Sequence, residues 1–98
     1  MLRVDIHEFR RPSRMVKSSR LLEVLQPRGY GVLEVPGDGD LRIALGAGEM
    51  VFSGEEPGWQ VWFEGDVERG HDTDALVGQV ARQLEEFTQT PTAWTRIG

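Results

Sequence analysis

The clearest periodic pattern in the chain runs from residue 72 to residue 97 and predicts a long amphipathic helix followed by a short strand. Asp72 or Thr73 can cap the first turn, and Pro91 requires the helix to end near Thr88. Alternation over 93–97 then predicts a strand. The apolar residues that recur at the spacing of one helical face are Leu76, Val77, Val80, Ala81, Leu84 and Phe87.

The residues between these apolar positions are polar, among them Gln79, Arg82 and Gln83, and the pattern places them on the other side of the helix. A helix with so wide an apolar face needs a sheet to pack on. The preceding part of the chain contains segments in which apolar and polar residues alternate, as they do in half-buried strands. These predicted strands cover residues 2–9, 31–35, 41–45, 50–52 and 59–64.

Short segments rich in glycine and proline separate the predicted strands and indicate tight turns at 36–40, 46–48 and 53–58. In the first strand, His7 falls on the polar side, which predicts a surface histidine. A short helix is predicted after Ser18 or Ser19 as a cap, with Leu21, Leu22 and Leu25 on one face and an end at Pro27 and Gly29.

The order of elements is a strand, a short helix, a meander of four strands, a long helix and a final strand. This order predicts an α+β fold: a single domain over 1–98 with a mostly antiparallel sheet of about five to six strands and both helices packed on one face. A chain of 98 residues, 39% hydrophobic and 28% charged, has the size and composition of one globular domain.

Composition also limits the cellular locations in which the protein is expected. No apolar run approaches the roughly 20 residues that span a bilayer, and the first residues alternate unlike a signal peptide. Without cysteine, the chain has no disulfide framework, no thiolate metal site and no cysteine nucleophile. We therefore expect a cytoplasmic protein with no membrane partner, although an absence of cysteine permits other locations too.

The net charge of −5 is unevenly distributed along the chain. Residues 1–30 contain seven Lys or Arg against three acidic residues, whereas residues 31–98 contain four basic residues against thirteen acidic ones. Because nucleic-acid binding relies on neutralising phosphates, the acidic excess argues against a nucleic-acid partner. It suits either simple solubility or a basic protein partner.

No motif in the sequence indicates catalysis, a metal or a cofactor. The paired glycines at 37–39 and 46–48 lack the third glycine and following helix of a dinucleotide site. Asp38 and Asp40 lack the further ligands of a calcium loop, and His71 has only His7 as a second histidine. We therefore predict that the protein is not an enzyme and holds no metal and no cofactor.

An acidic segment around Trp62 is the strongest sequence candidate for a binding surface. If Trp59, Val61 and Phe63 face the helices, Trp62 points to the opposite sheet face. An exposed aromatic residue ringed by acids would suit a basic partner, whereas the alternative is that a neighbouring strand or loop covers Trp62. The predicted partner-binding residues are Glu55, Glu56, Trp62, Glu64, Asp66 and Glu68.

Three stretches of the chain resemble an immunity-protein family found beside bacterial polymorphic and contact-delivered toxins. The first two are the predicted strands Leu41-Arg42-Ile43-Ala44-Leu45-Gly46 and Met50-Val51-Phe52. The third comprises the end of a helix, a proline turn and a closing tryptophan strand, and its sequence is Glu85-Glu86-Phe87-Thr88-Gln89-Thr90-Pro91-Thr92-Ala93-Trp94. The resemblance implies an α+β protein that binds and neutralises a cognate protein toxin without catalysis.

Two other classes of function fit the same composition and stay open. One is an acidic secretion chaperone or adaptor, which would often be a homodimer. The other is a small enzyme or ligand-binding domain with a pocket between the sheet and the helices. The resemblance assigns no individual contact residues, because immunity contacts vary with the toxin.

Overall fold

A single antiparallel sheet with two helices makes up the described part of the protein. The computed structural model describes residues 4–9, 18–54, 59–65 and 72–98. Within these ranges the helices and strands are β1 (Val4–Phe9), a 3-10 turn (Ser18–Arg20) leading into α1 (Leu21–Leu25), β2 (Leu33–Glu34), β3 (Leu41–Leu45), β4 (Gly48–Gly54), β5 (Trp59–Gly65), α2 (Thr73–Thr88) and β6 (Trp94–Arg96).

The strand order across the sheet is β2-β3-β4-β5-β1-β6, and each neighbouring pair is antiparallel. Strands β2 to β5 form a meander, and the predicted turn after Leu45 is a two-residue connection in which Gly46 has a φ of 64°. The first strand, β1, then lies between β5 and the last strand, β6. No helix in the described ranges has the length and apolar character needed to cross a bilayer.

The hydrophobic core lies between one face of the sheet and the two helices, as the α+β prediction expects. Alternate residues of β3, β4 and β5 point into this core, and both α1 and α2 cover it. The prediction of an antiparallel sheet with a short and a long helix is therefore confirmed. Buried core residues contributed by the three central strands are Leu41, Ile43, Leu45, Met50, Phe52, Trp59, Val61 and Phe63.

Helix α2 begins and ends where the sequence predicts. The Asp72 carboxylate accepts hydrogen bonds from the backbone N–H groups of Asp74 (3.0 Å) and Ala75 (3.3 Å), which satisfies donors that lack partners within the helix. At the other end, Gln89 adopts a left-handed conformation with a φ of 58° and closes the helix. Leu76, Val80 and Leu84 are buried, as predicted.

Phe87 does not join the core, which corrects the predicted apolar face. Its side chain is 40% exposed, and the Arg20 guanidinium carbon lies 4.8 Å from the ring centroid in a cation–π contact. Helical periodicity specifies the side on which Phe87 lies but not how far the packed core extends along the helix. In the last turn of α2, Phe87 therefore lies beside Arg20 of the 3-10 turn and not in the buried core.

Gln83 requires the opposite correction: it was predicted to face solvent, and the structure buries it. Its side-chain N–H groups donate to the carbonyl oxygens of Val24 (2.9 Å) and Gln26 (2.7 Å). Its side-chain oxygen accepts from the backbone N–H of Arg28 (2.8 Å) and from the Gln79 amide (2.9 Å). Gln83 therefore completes the backbone hydrogen bonds at the end of α1 and joins α1 to α2.

Gln83→Leu is expected to lower the free energy of unfolding by about 2–3 kcal/mol, because two carbonyls and one N–H lose their partner in a largely buried place. Gln79→Leu is the matched control on the same helix, and its half-buried amide should cost under about 1 kcal/mol. Urea denaturation of the two variants measures the difference. Equal midpoints would contradict a role for Gln83 in joining the helices.

Strand β1 carries an irregularity that the alternating pattern did not reveal. Val4 pairs with Phe63 and His7 pairs with Val61, so three steps along β1 match two steps along β5. This bulge shifts the alternation by one residue. His7 consequently enters the core face and is fully buried, and the prediction of a surface histidine is wrong.

Candidate functional site

The predicted partner-binding patch centred on Trp62 is only partly visible. Glu55, Glu56, Asp66 and Glu68 lie outside the described residues. Trp62 does lie on the sheet face opposite the helices, paired with Val51, but it is only 4% exposed. The expectation of an exposed aromatic anchor is therefore wrong, and the burial of Trp62 agrees with the alternative of a covered side chain.

The second visible member of the patch, Glu64, belongs to an ion cluster on the same face. Arg42 Nη1 donates to Glu64 Oε1 (2.9 Å) and to Glu49 Oε1 (2.6 Å), and Trp62 Nε1 donates to Glu64 Oε2 (3.0 Å). The side chains of Arg42 and Glu64 are 11% and 13% exposed. Glu64 is therefore held by its neighbours and does not present a free charge to a partner.

The cluster has a structural explanation in the register of the strands. Glu49 of β4 lies directly opposite Glu64 of β5, and like charges in that position repel each other. Arg42 of β3 lies between the two carboxylates and pairs with both. Its hydrogen bond, followed by that of Trp62, holds the pKa of Glu64 below its usual range, and the carboxylates in turn raise the pKa of Arg42.

A second polar cluster joins β1, β6 and the first turn of α2. His7 Nε2 donates to Asp74 Oδ1 (2.8 Å), and Arg96 Nη1 lies 3.4 Å from the same oxygen. The His7 ring packs edge-on against Phe63 and tilted against Trp94, with centroid distances of 6.1 Å and 5.4 Å. Asp74 also lies near the positive end of the α2 dipole.

The His7 cluster does not form a recognisable reaction centre among the described residues. A buried histidine that donates to a carboxylate corresponds to two of the three members of a catalytic triad, and His7 and Asp74 match those two. Arg96 faces His7 across the β1–β6 pair and brings a positive charge to the same carboxylate. These contacts hold the first turn of α2 against β1 and β6. In the described ranges, no group of three or more histidine, aspartate or glutamate side chains is placed to hold a metal ion.

A shallow groove of about 240 Å³ runs between α1 and α2. Charged residues that line it already have partners: Arg28 Nη2 is 2.8 Å from Glu86 Oε1, and Glu23 Oε2 is 2.8 Å from Arg20 Nη2. Gln83 in its wall uses its amide for the backbone of α1. The groove therefore offers few polar groups for orienting a ligand.

The outer edge of the sheet at β2 presents the most exposed large apolar side chain among the described residues. Leu33 is 69% exposed, and Glu34 beside it is also exposed. The loop that follows carries the exposed residues Asp38 and Asp40, and Asp40 Oδ2 accepts from the backbone N–H of Gly54 (2.7 Å). The sequence predicts a strand here, but nothing in the alternating pattern shows that it is the edge strand.

The charges of the protein are unbalanced. Sixteen aspartates and glutamates stand against eleven lysines and arginines, a net charge of −5. Among the described arginines, Arg20, Arg28, Arg42 and Arg96 already contact carboxylates. The unbalanced charge of the protein is therefore acidic.

Comparison with known proteins gives no further guide: the chain matches no protein-family model, no curated protein and no solved structure. The resemblance to toxin-immunity proteins is neither supported nor contradicted by these comparisons. A functional proposal therefore depends on the charge and geometry of the described surface.

Proposed function

We propose that this protein binds a basic protein partner and, as the family resemblance implies, neutralises a cognate bacterial toxin without catalysis. The observation that carries the proposal is the acidic surplus of the chain, a net charge of −5, together with the contacts that most of the described arginines already make with carboxylates. Such a field attracts a positively charged surface and speeds its association.

Toxins that cleave nucleic acids supply a partner of this kind. Their substrate is a polyanion, so their active-site clefts are lined with basic residues. An acidic protein that covers such a cleft blocks the substrate by competing for the same charges. A toxin of this class acts inside the cell, and the proposed location of the protein is accordingly the cytoplasm.

The polar clusters of the described residues favour binding over catalysis. The Arg42 cluster relieves a repulsion between two cross-strand glutamates. The His7 pair fastens α2 to the sheet, and Gln83 completes the end of α1. Each cluster thus has a role in folding, and none needs a reaction to explain it.

Association kinetics with a toxin domain, sought among the genes that flank the gene for this chain, would test the proposal. We expect co-expression to restore growth of cells that make the toxin and native mass spectrometry to show a complex of the two chains. Reversing Glu55, Glu56, Asp66 and Glu68 to lysine should slow association and flatten its salt dependence while folding stays intact.

The matched control removes charge of the opposite sign: Arg10, Arg11 and Arg14 changed to alanine should leave association unchanged. Continued toxicity together with separate masses for the two chains would overturn the proposed function. Association that depends on the three arginines and not on the four acids would place the binding surface in the basic N-terminal segment instead.

A further inference from the structure

The backbone of β2 has one side that the sheet does not use. The Val35 N–H donates to the Arg42 carbonyl (2.9 Å), and the register pairs Leu33 with Ala44 and Glu34 with Ile43. Hydrogen-bonded and non-hydrogen-bonded pairs alternate along an antiparallel ladder. The N–H and C=O of Glu34 therefore point away from β3, toward the outer edge of the sheet.

An apolar side chain lies next to these outward backbone groups. Leu33 is 69% exposed and, through its pairing with Ala44, lies on the sheet face opposite the helices. A further strand beside β2 would place one of its own side chains against Leu33 and remove apolar surface from water. The edge thus combines backbone hydrogen bonding with one apolar contact, which are the two elements of strand addition.

Charge decides what kind of strand can pair there. Glu34, Asp38 and Asp40 are exposed at this edge and in the loop that follows it. Arg42, the next basic residue along the sequence, has its guanidinium on Glu49 and Glu64, and no ion pair among the described residues involves Glu34, Asp38 or Asp40. A second copy of this acidic chain would bring Glu34 against like charges and would be repelled, whereas a basic segment would be attracted.

We infer that β2 accepts an extended basic segment of a partner protein as a seventh strand of the sheet, with a lysine or arginine beside Glu34 and apolar residues on either side of it. This inference rests on the proposed function, because the partner is the basic protein that the acidic surface attracts. Pro36 has no N–H to donate, so the added strand pairs along a short stretch centred on Glu34.

A short synthetic peptide that alternates valine and lysine is a direct probe of this edge. We expect it to bind the full chain and to protect the Glu34 amide from hydrogen exchange. Glu34→Gln should weaken binding severalfold and reduce its salt dependence, since it removes the charge and keeps the N–H. Glu34→Pro also removes the N–H and should weaken binding by about a further fivefold.

Glu34→Pro is a usable variant because proline is tolerated on an edge strand where its missing N–H would face solvent. Glu86→Gln is the matched control, since it removes an exposed carboxylate on α2 and should leave peptide binding unchanged. A peptide with glutamate in place of lysine should not bind. Equal binding of the two peptides, full binding by Glu34→Pro, or an unprotected Glu34 amide would each overturn the inference.

The same variants separate this inference from the proposed function. If the chain neutralises the toxin and Glu34→Pro does so equally well, the function stands and strand addition at β2 is wrong. If the valine–lysine peptide binds at Glu34 but the chain neither binds nor neutralises the toxin, the edge is a binding site and the proposed function is wrong.

Discussion

Leu84→Asp is expected to lower the free energy of unfolding by several kcal/mol, roughly 3–5, which is enough to unfold a domain of this size. Leu84 is 1% exposed and lies in the core between α2 and the sheet. The substitution removes buried apolar surface and places an unpaired carboxylate where no described side chain compensates it. Chemical denaturation measures the change directly.

Two controls separate the causes of this loss. Arg82→Asp places the same side chain on the exposed side of α2 and should change stability by no more than about 0.5 kcal/mol. Leu84→Asn keeps the shape of aspartate without its charge and should be less destabilising at neutral pH. A denaturation midpoint for Leu84→Asp equal to that of the unsubstituted protein would show that this face of α2 does not pack on the sheet.

Arg42→Met is expected to lower the free energy of unfolding by about 3–5 kcal/mol, because it leaves the largely buried carboxylate of Glu64 without its charged partner. It also restores the direct repulsion between Glu49 and Glu64 across the β4–β5 pair. The double variant Arg42→Met with Glu64→Gln removes both members of the pair and should recover much of the lost stability. A double variant as unstable as Arg42→Met would contradict this explanation.

The pH dependence of stability provides an independent check on the same cluster. Arg42 lowers the pKa of Glu64 in the folded protein, so the ion pair stabilises the fold above the ordinary glutamate range. That contribution is lost as the pH falls through the lowered pKa and Glu64 takes up a proton. The stability difference between the unsubstituted protein and Arg42→Met should therefore shrink on acidification below about pH 4.5.

The sequence correctly predicted the helical period of α2 but assigned one residue of the helix, Gln83, to the solvent-facing side, where it does not lie. The predicted apolar face left Gln83 out, although position 83 comes three residues after Val80 and four before Phe87, a spacing that includes it on the packed side. Its polar amide suggested solvent, and only the nearby end of α1 supplies the backbone partners that make its burial favourable. Phe87 is the reverse case, because its spacing and its chemistry both indicated the core.

The candidate site depended on the tertiary structure to a greater degree. Alternation correctly placed Trp62 on the face opposite the helices, since successive side chains of a strand point to opposite faces. Alternation does not say what covers that face, and the structure buries Trp62 beside Glu64. The sequence did not reveal the exposed edge at Leu33 for a related reason. Whether a strand lies at the edge of a sheet depends on the strand order, which the alternating pattern does not specify.

The sequence by itself determined those features that depend on neighbours in the chain: the limits of α2, the turn after Leu45 and the α+β class. Their causes are local, namely capping by Asp72, the helix end before Pro91 and glycine at a turn. Only the tertiary structure decided that β1 lies between β5 and β6 and that its bulge buries His7. These outcomes depend on contacts between residues far apart in the chain, which the spacing of apolar residues does not record.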